Sequence, residues 1–144
     1  YRRLVPGYWA PTSATWGVEN RTCALRVIPG SEKSQRVEYR IAAADGNPYL
    51  ALAAAVASGL HGIAAGLEPG PAVEGNAYAK ETPAKHRLPA TLWDAAQRLK
   101  GSKAAREAFG DDFVEHYAAT REWEELDARK HVSDWGRARG GEIV

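Results

Sequence analysis

Arg36-Val37-Glu38-Tyr39-Arg40 decides how the first part of this chain folds. Side chains alternate faces along a strand. As a strand over 36–42, this stretch puts Val37, Tyr39 and Ile41 on one side and Arg36, Glu38 and Arg40 on the other. Two guanidinium groups then flank one carboxylate. Guanidinium forks grip phosphate or carboxylate through paired hydrogen bonds, and a carboxylate between them can take Mg2+. The row suits a site that holds anions and a metal ion together. The alternative is an exposed strand face with cross-strand ion pairs.

Upstream, Pro29 to Gln35 is a flexible connection and 23–28 reads as a strand. So short a connection favours an antiparallel pair. A further strand is expected over 12–18, followed by a turn at Asn20-Arg21-Thr22, and residues 1–11 form a Pro/Gly-punctuated loop. Downstream, Asn47 is a good N-cap and Pro48 suits the first helical position, which predicts a helix over 48–65. It is small and apolar on nearly every face, so it is expected to be buried. Gly66 to Leu88 reads as a long surface loop. Thr91 is expected to cap a helix to about Lys100, and Ser102 a short one ending at Gly110. Asp111 or Asp112 would cap the longest helix, which runs to about Lys130, and Ser133 would start a last short one ended by Gly140-Gly141. The expected class is α+β: a few antiparallel strands (12–18, 23–28, 36–42), a buried Ala-rich helix (48–65) and a helical region (91–138).

The chain has 144 residues, 44% of them hydrophobic and 26% charged, which fits an ordinary globular domain. A net charge of +1 with no basic run argues against nucleic acid as a partner. The charge is uneven: residues 1–47 carry seven Lys/Arg against four acids. The first third thus reads as an anion-handling surface. Cys23 is alone, which fits a reducing, cytoplasmic setting, and it reads as a small buried thiol. The four histidines, His61, His86, His116 and His131, lack ligand spacing. Ser58, Gly59, His61 and Gly62 interrupt the Ala-rich stretch, so no membrane span is expected. The absence of methionine predicts a piece of a longer protein.

Arg2-Arg3-Leu4-Val5-Pro6-Gly7-Tyr8, Asn20-Arg21-Thr22, Arg36-Val37-Glu38-Tyr39-Arg40 and Asn47-Pro48-Tyr49-Leu50-Ala51-Leu52-Ala53-Ala54 follow one another in this order. With these motifs the chain resembles the C-terminal part of the catalytic domain of glutamine synthetases, over nearly its whole length. The resemblance implies a ligase that uses ATP and Mg2+ (or Mn2+) to join an amine to the γ-carboxyl of glutamate through γ-glutamyl phosphate. It implies that Arg3 holds the substrate glutamate's carboxylate and that Arg21 stabilises the transferring phosphoryl group. Arg26 and Arg36, assisted by Lys33, would contact the ATP phosphates, and Glu38 would bind a metal ion. Arg40 would bind the γ-carboxylate or the phosphate formed from it. The family's other metal ligands and its N-terminal domain are not found within 1–144, so the domain is expected to be incomplete and inactive in isolation. The whole protein is expected to be a cytoplasmic, ring-like homo-oligomer.

One position departs from the family pattern. Ammonia-using members carry glutamate within Gly-Tyr-Glu-Ala-Pro, where this chain reads Gly7-Tyr8-Trp9-Ala10-Pro11. An indole cannot accept a proton but offers an apolar or cation–π wall to an alkylamine. With Trp16-Gly17, His116-Tyr117 and Arg121-Glu122-Trp123-Glu124, this resembles the γ-glutamylpolyamine (γ-glutamylputrescine) synthetase branch, so Trp9 is expected to select an organic amine. The alternatives are an ammonia-using enzyme and a non-catalytic relative serving as a sensor or assembly subunit. Tyr78 occupies the place of the tyrosine that some bacterial members adenylylate, with poorly matching flanks.

Overall fold

The computed structural model describes residues 4–141. Contacts divide the chain into two units, Tyr1–Ala90 and Thr91–Val144. The class is α+β, as expected.

The first unit is built on a three-stranded sheet in the order β1 (Trp16–Val18), β2 (Leu25–Ile28), β3 (Arg36–Tyr39). β2 and β3 are antiparallel, as the short connection requires. β1, however, runs parallel to β2, which corrects the all-antiparallel expectation. Parallel neighbours usually need a long crossover. Here β1 is only about 10 Å long, so the connection from Glu19 to Ala24 suffices to bring the chain back to its starting end. Glu19 turns the chain there with φ of 51°.

All three strands are shorter than expected, and the flank of β1 bonds elsewhere. Thr12 to Ala14 pair with the end of the 66–88 segment: Ser13 bridges Arg87, Ala14 N donates to His86 O at 2.7 Å and Leu88 N to Thr12 O at 2.9 Å. Cys23 and Ala24 are buried in the turn before β2. Past β3, Arg40 N still donates to Ala24 O at 2.9 Å. The 66–88 segment is therefore no free loop. Val73 N donates to Trp16 O at 2.8 Å, beside Gly17. A Cβ on Gly17 would stand 2.7 Å from Val73 O and 2.9 Å from Asn20 Cβ. Gly17→Ala must push backbone apart, so it is expected to cost about 1–3 kcal/mol, read as a lowered urea midpoint.

α1 (Pro48–Ala64) starts as expected, with Asn47 Oδ1 accepting from Tyr49 N at 3.0 Å. The expectation of burial is corrected: no residue of α1 is buried, and Tyr49, Leu52, Val56, Leu60 and Ile63 are exposed. Three short strands cannot cover a helix that is apolar all round.

In the second unit, α2 (Leu92–Lys100) and α3 (Lys103–Phe109) both pack on α4 (Asp111–Ala128), with Ala96, Val114 and Ala118 buried. Thr91 and Ser102 cap α2 and α3 as expected, accepting from Asp94 N at 3.0 Å and Ala105 N at 3.2 Å. The cap of α4 is not an aspartate but Gly110, whose φ of 83° makes the turn between α3 and α4. Asp111 and Asp112 lie instead in the first turn, where negative charge favours the helix dipole. Trp123 on α4 is exposed. α5 (Asp134–Gly141) ends the described chain, with Ser133 Oγ accepting from Gly136 N at 3.0 Å.

Candidate functional site

The register sets Gly17, Arg26 and Glu38 side by side across the sheet. Glu38 Oε2 accepts from Arg40 Nη1 at 2.7 Å and from Arg26 Nη1 at 3.5 Å. Arg26 also bonds Glu19 through Nη2. The flanking guanidiniums are thus Arg26 and Arg40, not Arg36 and Arg40 as the strand row suggested. Arg36 is exposed and donates to Ser34 O at 3.0 Å, because the turn before β3 offers that carbonyl two residues away. Lys33 is exposed in the same turn, outside the cluster. Arg26 and Arg40 keep only 16% and 14% of their side-chain surface exposed, against 40% for Glu38. Arg26 Nε is buried with no hydrogen-bond partner among the described residues.

This packing tunes the ionisation of the cluster. The hydrogen bond from Arg40 holds the Glu38 carboxyl below its ordinary value against partial burial, with Arg26 adding to the effect. The hydrogen bond that Arg26 donates to Glu19 raises Arg26, which stays charged. A depressed carboxyl stabilises the fold above its unfolded value, and that contribution is lost as pH falls through the lower folded value. The Glu38 side chain, followed by NMR, is therefore expected to titrate below the ordinary value of a free glutamate. A midpoint at or above that value would mean the ion pairs do not form in solution.

The cluster adjoins a cavity of about 730 Å³ through Trp9 and Glu19, which both line it. Arg40 Nη2 donates to Trp9 O at 2.8 Å, while Trp9, Val18, Arg21, Val73 and Glu74 are among the residues lining the cavity. Arg21 is exposed there. Trp9 has φ of 52°, a left-handed conformation that costs a bulky residue about 1–2 kcal/mol and persists only where surroundings enforce it. Asn20 and Thr22, on either side of Arg21, enforce the cavity's far wall. Asn20 Nδ2 donates to Val73 O at 2.9 Å and Gly75 O at 2.8 Å, and Thr22 Oγ1 accepts from Ala77 N at 2.9 Å. Tyr78 OH reaches Ala10, which is fully buried beside Trp9. Sequence reading missed Glu19, Asn20, Thr22 and Tyr78 as organisers of the site. Asn20 and Thr22 carried a signal as the turn around Arg21, and Tyr78 as the place of an adenylylated tyrosine, but none as an organiser of the site.

Arginines and one carboxylate suit anion binding, so the residues present fit a phosphate-bearing ligand. They do not by themselves make a metal site. A divalent ion takes six or more oxygen ligands, and no group of three or more His, Cys, Asp or Glu able to hold one occurs among the described residues. Glu38 could supply one ligand, through the carboxylate oxygen that the arginines leave open. Arg3 lies outside the described residues. No helix among the described residues is long and apolar enough to cross a membrane.

A family model described as glutamine synthetase, catalytic domain, matches residues 1–139. The chain is 42% identical over 146 residues to the type-1 glutamine synthetase 2 of Dictyostelium discoideum, a match covering 100% of the chain and 28% of that protein. It is 40% identical over 144 residues to a glutamate–isopropylamine ligase of Pseudomonas sp., covering 100% and 31%. It is 45% identical over 144 residues to a γ-glutamylethanolamide synthetase of Streptomyces coelicolor, covering 99% and 30%. The chain thus spans about 30% of the length of these curated relatives. With the arginine-flanked Glu38 and the Arg21 cavity in place, the match over residues 1–139 settles the assignment: the chain belongs to the glutamine synthetase catalytic-domain family.

Proposed function

We propose that this chain is the anion-handling part of an ATP-dependent ligase that joins an organic amine to the γ-carboxyl of glutamate. In the first step a γ-carboxylate oxygen attacks the terminal phosphorus of ATP, and ADP leaves. In the second the amine nitrogen attacks the acyl carbon, phosphate leaves, and the nitrogen gives up a proton. Negative charge gathers on phosphoryl oxygens in both steps, where fixed guanidinium groups are most effective. Arg21 stabilises the transferring group, Arg40 holds the γ-carboxylate or its phosphate, and Arg26 and Arg36, with Lys33, neutralise the nucleotide phosphates. Arg3 takes the glutamate carboxylate. Glu38 contributes one ligand to Mg2+ or Mn2+, which when bound adds neutralising charge.

The observation that carries the reading is the Arg40–Trp9 contact: it sets an indole-walled cavity against the arginine-flanked carboxylate. Two of the similar proteins are named for isopropylamine and ethanolamide chemistry, which supports an organic amine here. Putrescine is the finer candidate. The remaining site groups come from elsewhere in the protein, which we take to be a cytoplasmic, ring-like homo-oligomer. The 144-residue chain alone is accordingly expected to release no phosphate from ATP, and time-dependent release by the pure chain would refute this division of the site.

The decisive experiment is phosphate release by the full-length protein with glutamate, ATP and Mg2+, comparing ammonia with isopropylamine, ethanolamine and putrescine. Preference for an organic amine supports the reading. Preference for ammonia makes this an ordinary glutamine synthetase, and no turnover with any amine points to a non-catalytic relative.

A further inference from the structure

The side chain of Tyr78 spans 68 residues of sequence to grip a single residue. Its hydroxyl donates to Ala10 O at 2.9 Å and accepts from Ala10 N at 3.1 Å. One phenol thus closes both backbone groups of a fully buried residue. The neighbour on one side is Trp9, held in its left-handed conformation with its carbonyl on Arg40. The neighbour on the other is buried Pro11.

Tyr78 is itself held. It lies in a 3₁₀ turn, Ala77–Ala79, whose start is capped by Asn76 Oδ1 accepting from Tyr78 N at 3.0 Å. Ala77 N donates to Thr22 Oγ1, and Thr22 N and Oγ1 both donate to Asn20 Oδ1, at 3.0 and 2.7 Å. An unbroken run of hydrogen bonds and peptide links therefore leads from the turn that carries Arg21, through residues 76–78, to the backbone that carries Trp9. Each link is short-range and directional, so the wall and the guanidinium across the cavity share one frame. Such positioning matters in an active site, because small misplacements of a group beside the reacting atoms cost rate.

We propose that Tyr78 is a positioning residue for the amine subsite: it fixes Trp9 as the cavity wall against which the incoming amine packs. This rests on the reading of the cavity given above. Tyr78 itself lines the cavity, while its hydroxyl, committed to both backbone groups of Ala10, acts through Ala10 and Trp9. Its removal should disturb the amine and leave the nucleotide contacts of Arg26 and Arg36, which lie on β2 and β3, as they are.

Two measurements on the full-length protein test it. In protein labelled with 5-fluorotryptophan, the Trp9 resonance is identified by its loss in Trp9→Phe. Tyr78→Phe, which keeps the ring and removes the hydroxyl, is expected to shift or broaden that resonance and leave Trp93 in place. An unmoved Trp9 resonance overturns the proposal. In steady-state kinetics, Tyr78→Phe is expected to raise KM for the amine by about tenfold, the scale of one or two lost hydrogen bonds, with KM for ATP unchanged. A parallel rise in KM for ATP, or no change in either constant, overturns it. Asn76→Ala, which loosens the turn without touching the ring, should reproduce the pattern at smaller size. If the wild-type protein prefers ammonia, the organic-amine reading fails, while the Trp9 resonance and the KM for ammonia still decide the role of Tyr78.

Discussion

Arg21→Ala in the full-length protein is expected to lower kcat by about 10²–10³-fold while leaving thermal stability near that of the wild type. Both halves of the expectation come from where the side chain stands. Arg21 is exposed on the cavity wall, and the turn that carries it is held by its neighbours, Asn20 and Thr22. On the proposed function, truncating it removes a guanidinium from the place where phosphoryl charge develops, without opening the fold. Arg21→Lys should recover part of the rate, since an ammonium keeps the charge and loses the bidentate fork. Arg40→Ala makes the contrast. Arg40 bonds both Glu38 and Trp9 O, so its loss should lower stability together with rate. A rise in KM for ATP with kcat intact in Arg21→Ala would move Arg21 from the transferring group to ground-state nucleotide binding.

The parts of this fold legible in the sequence are those decided within a few residues. Asn47-Pro48, Thr91, Ser102 and Ser133 signal helix starts because a cap bonds two or three residues ahead, and each is found doing so. Gly110 escaped because its role depends on a positive φ between two helices, while the aspartates after it looked like better caps. The charge row was readable from alternation, but alternation says nothing about the neighbouring strand. Arg26 reaches Glu38 only through the register of β2 on β3, and Arg36 finds a closer acceptor in its own turn. The parallel pairing of β1 hinged on one residue, Glu19, taking a conformation that favours glycine. The Tyr78 contact joins segments 68 residues apart, and no local pattern encodes such a separation. Burial of α1 was inferred from composition, and composition reports what a helix could bury, not what stands against it.

Trp9→Glu is expected to turn the amine preference of the full-length protein toward ammonia by about 10²-fold or more, the usual contribution of a positioned general base. The indole has a donor and no acceptor, so with Trp9 in place the proton lost by the attacking nitrogen must leave by another route. A carboxylate at the same position supplies the acceptor and at the same time removes the apolar wall. Loss of that wall should weaken an organic amine by about tenfold, the worth of one or two methylenes in a pocket. The backbone does not oppose the exchange: Trp9 already bears the cost of φ at 52°, and its carbonyl, which bonds Arg40, belongs to the main chain. Trp9→Gly separates the two effects, because it relieves the left-handed strain and takes away the wall without supplying a base. It should lose the organic amine and gain nothing with ammonia. If Trp9→Glu and Trp9→Gly behave alike, the carboxylate is not acting as a base and the indole selects by shape alone. If neither changes the ratio of amine to ammonia, Trp9 is a packing residue, and the selectivity must come from groups that face the cavity from elsewhere in the protein.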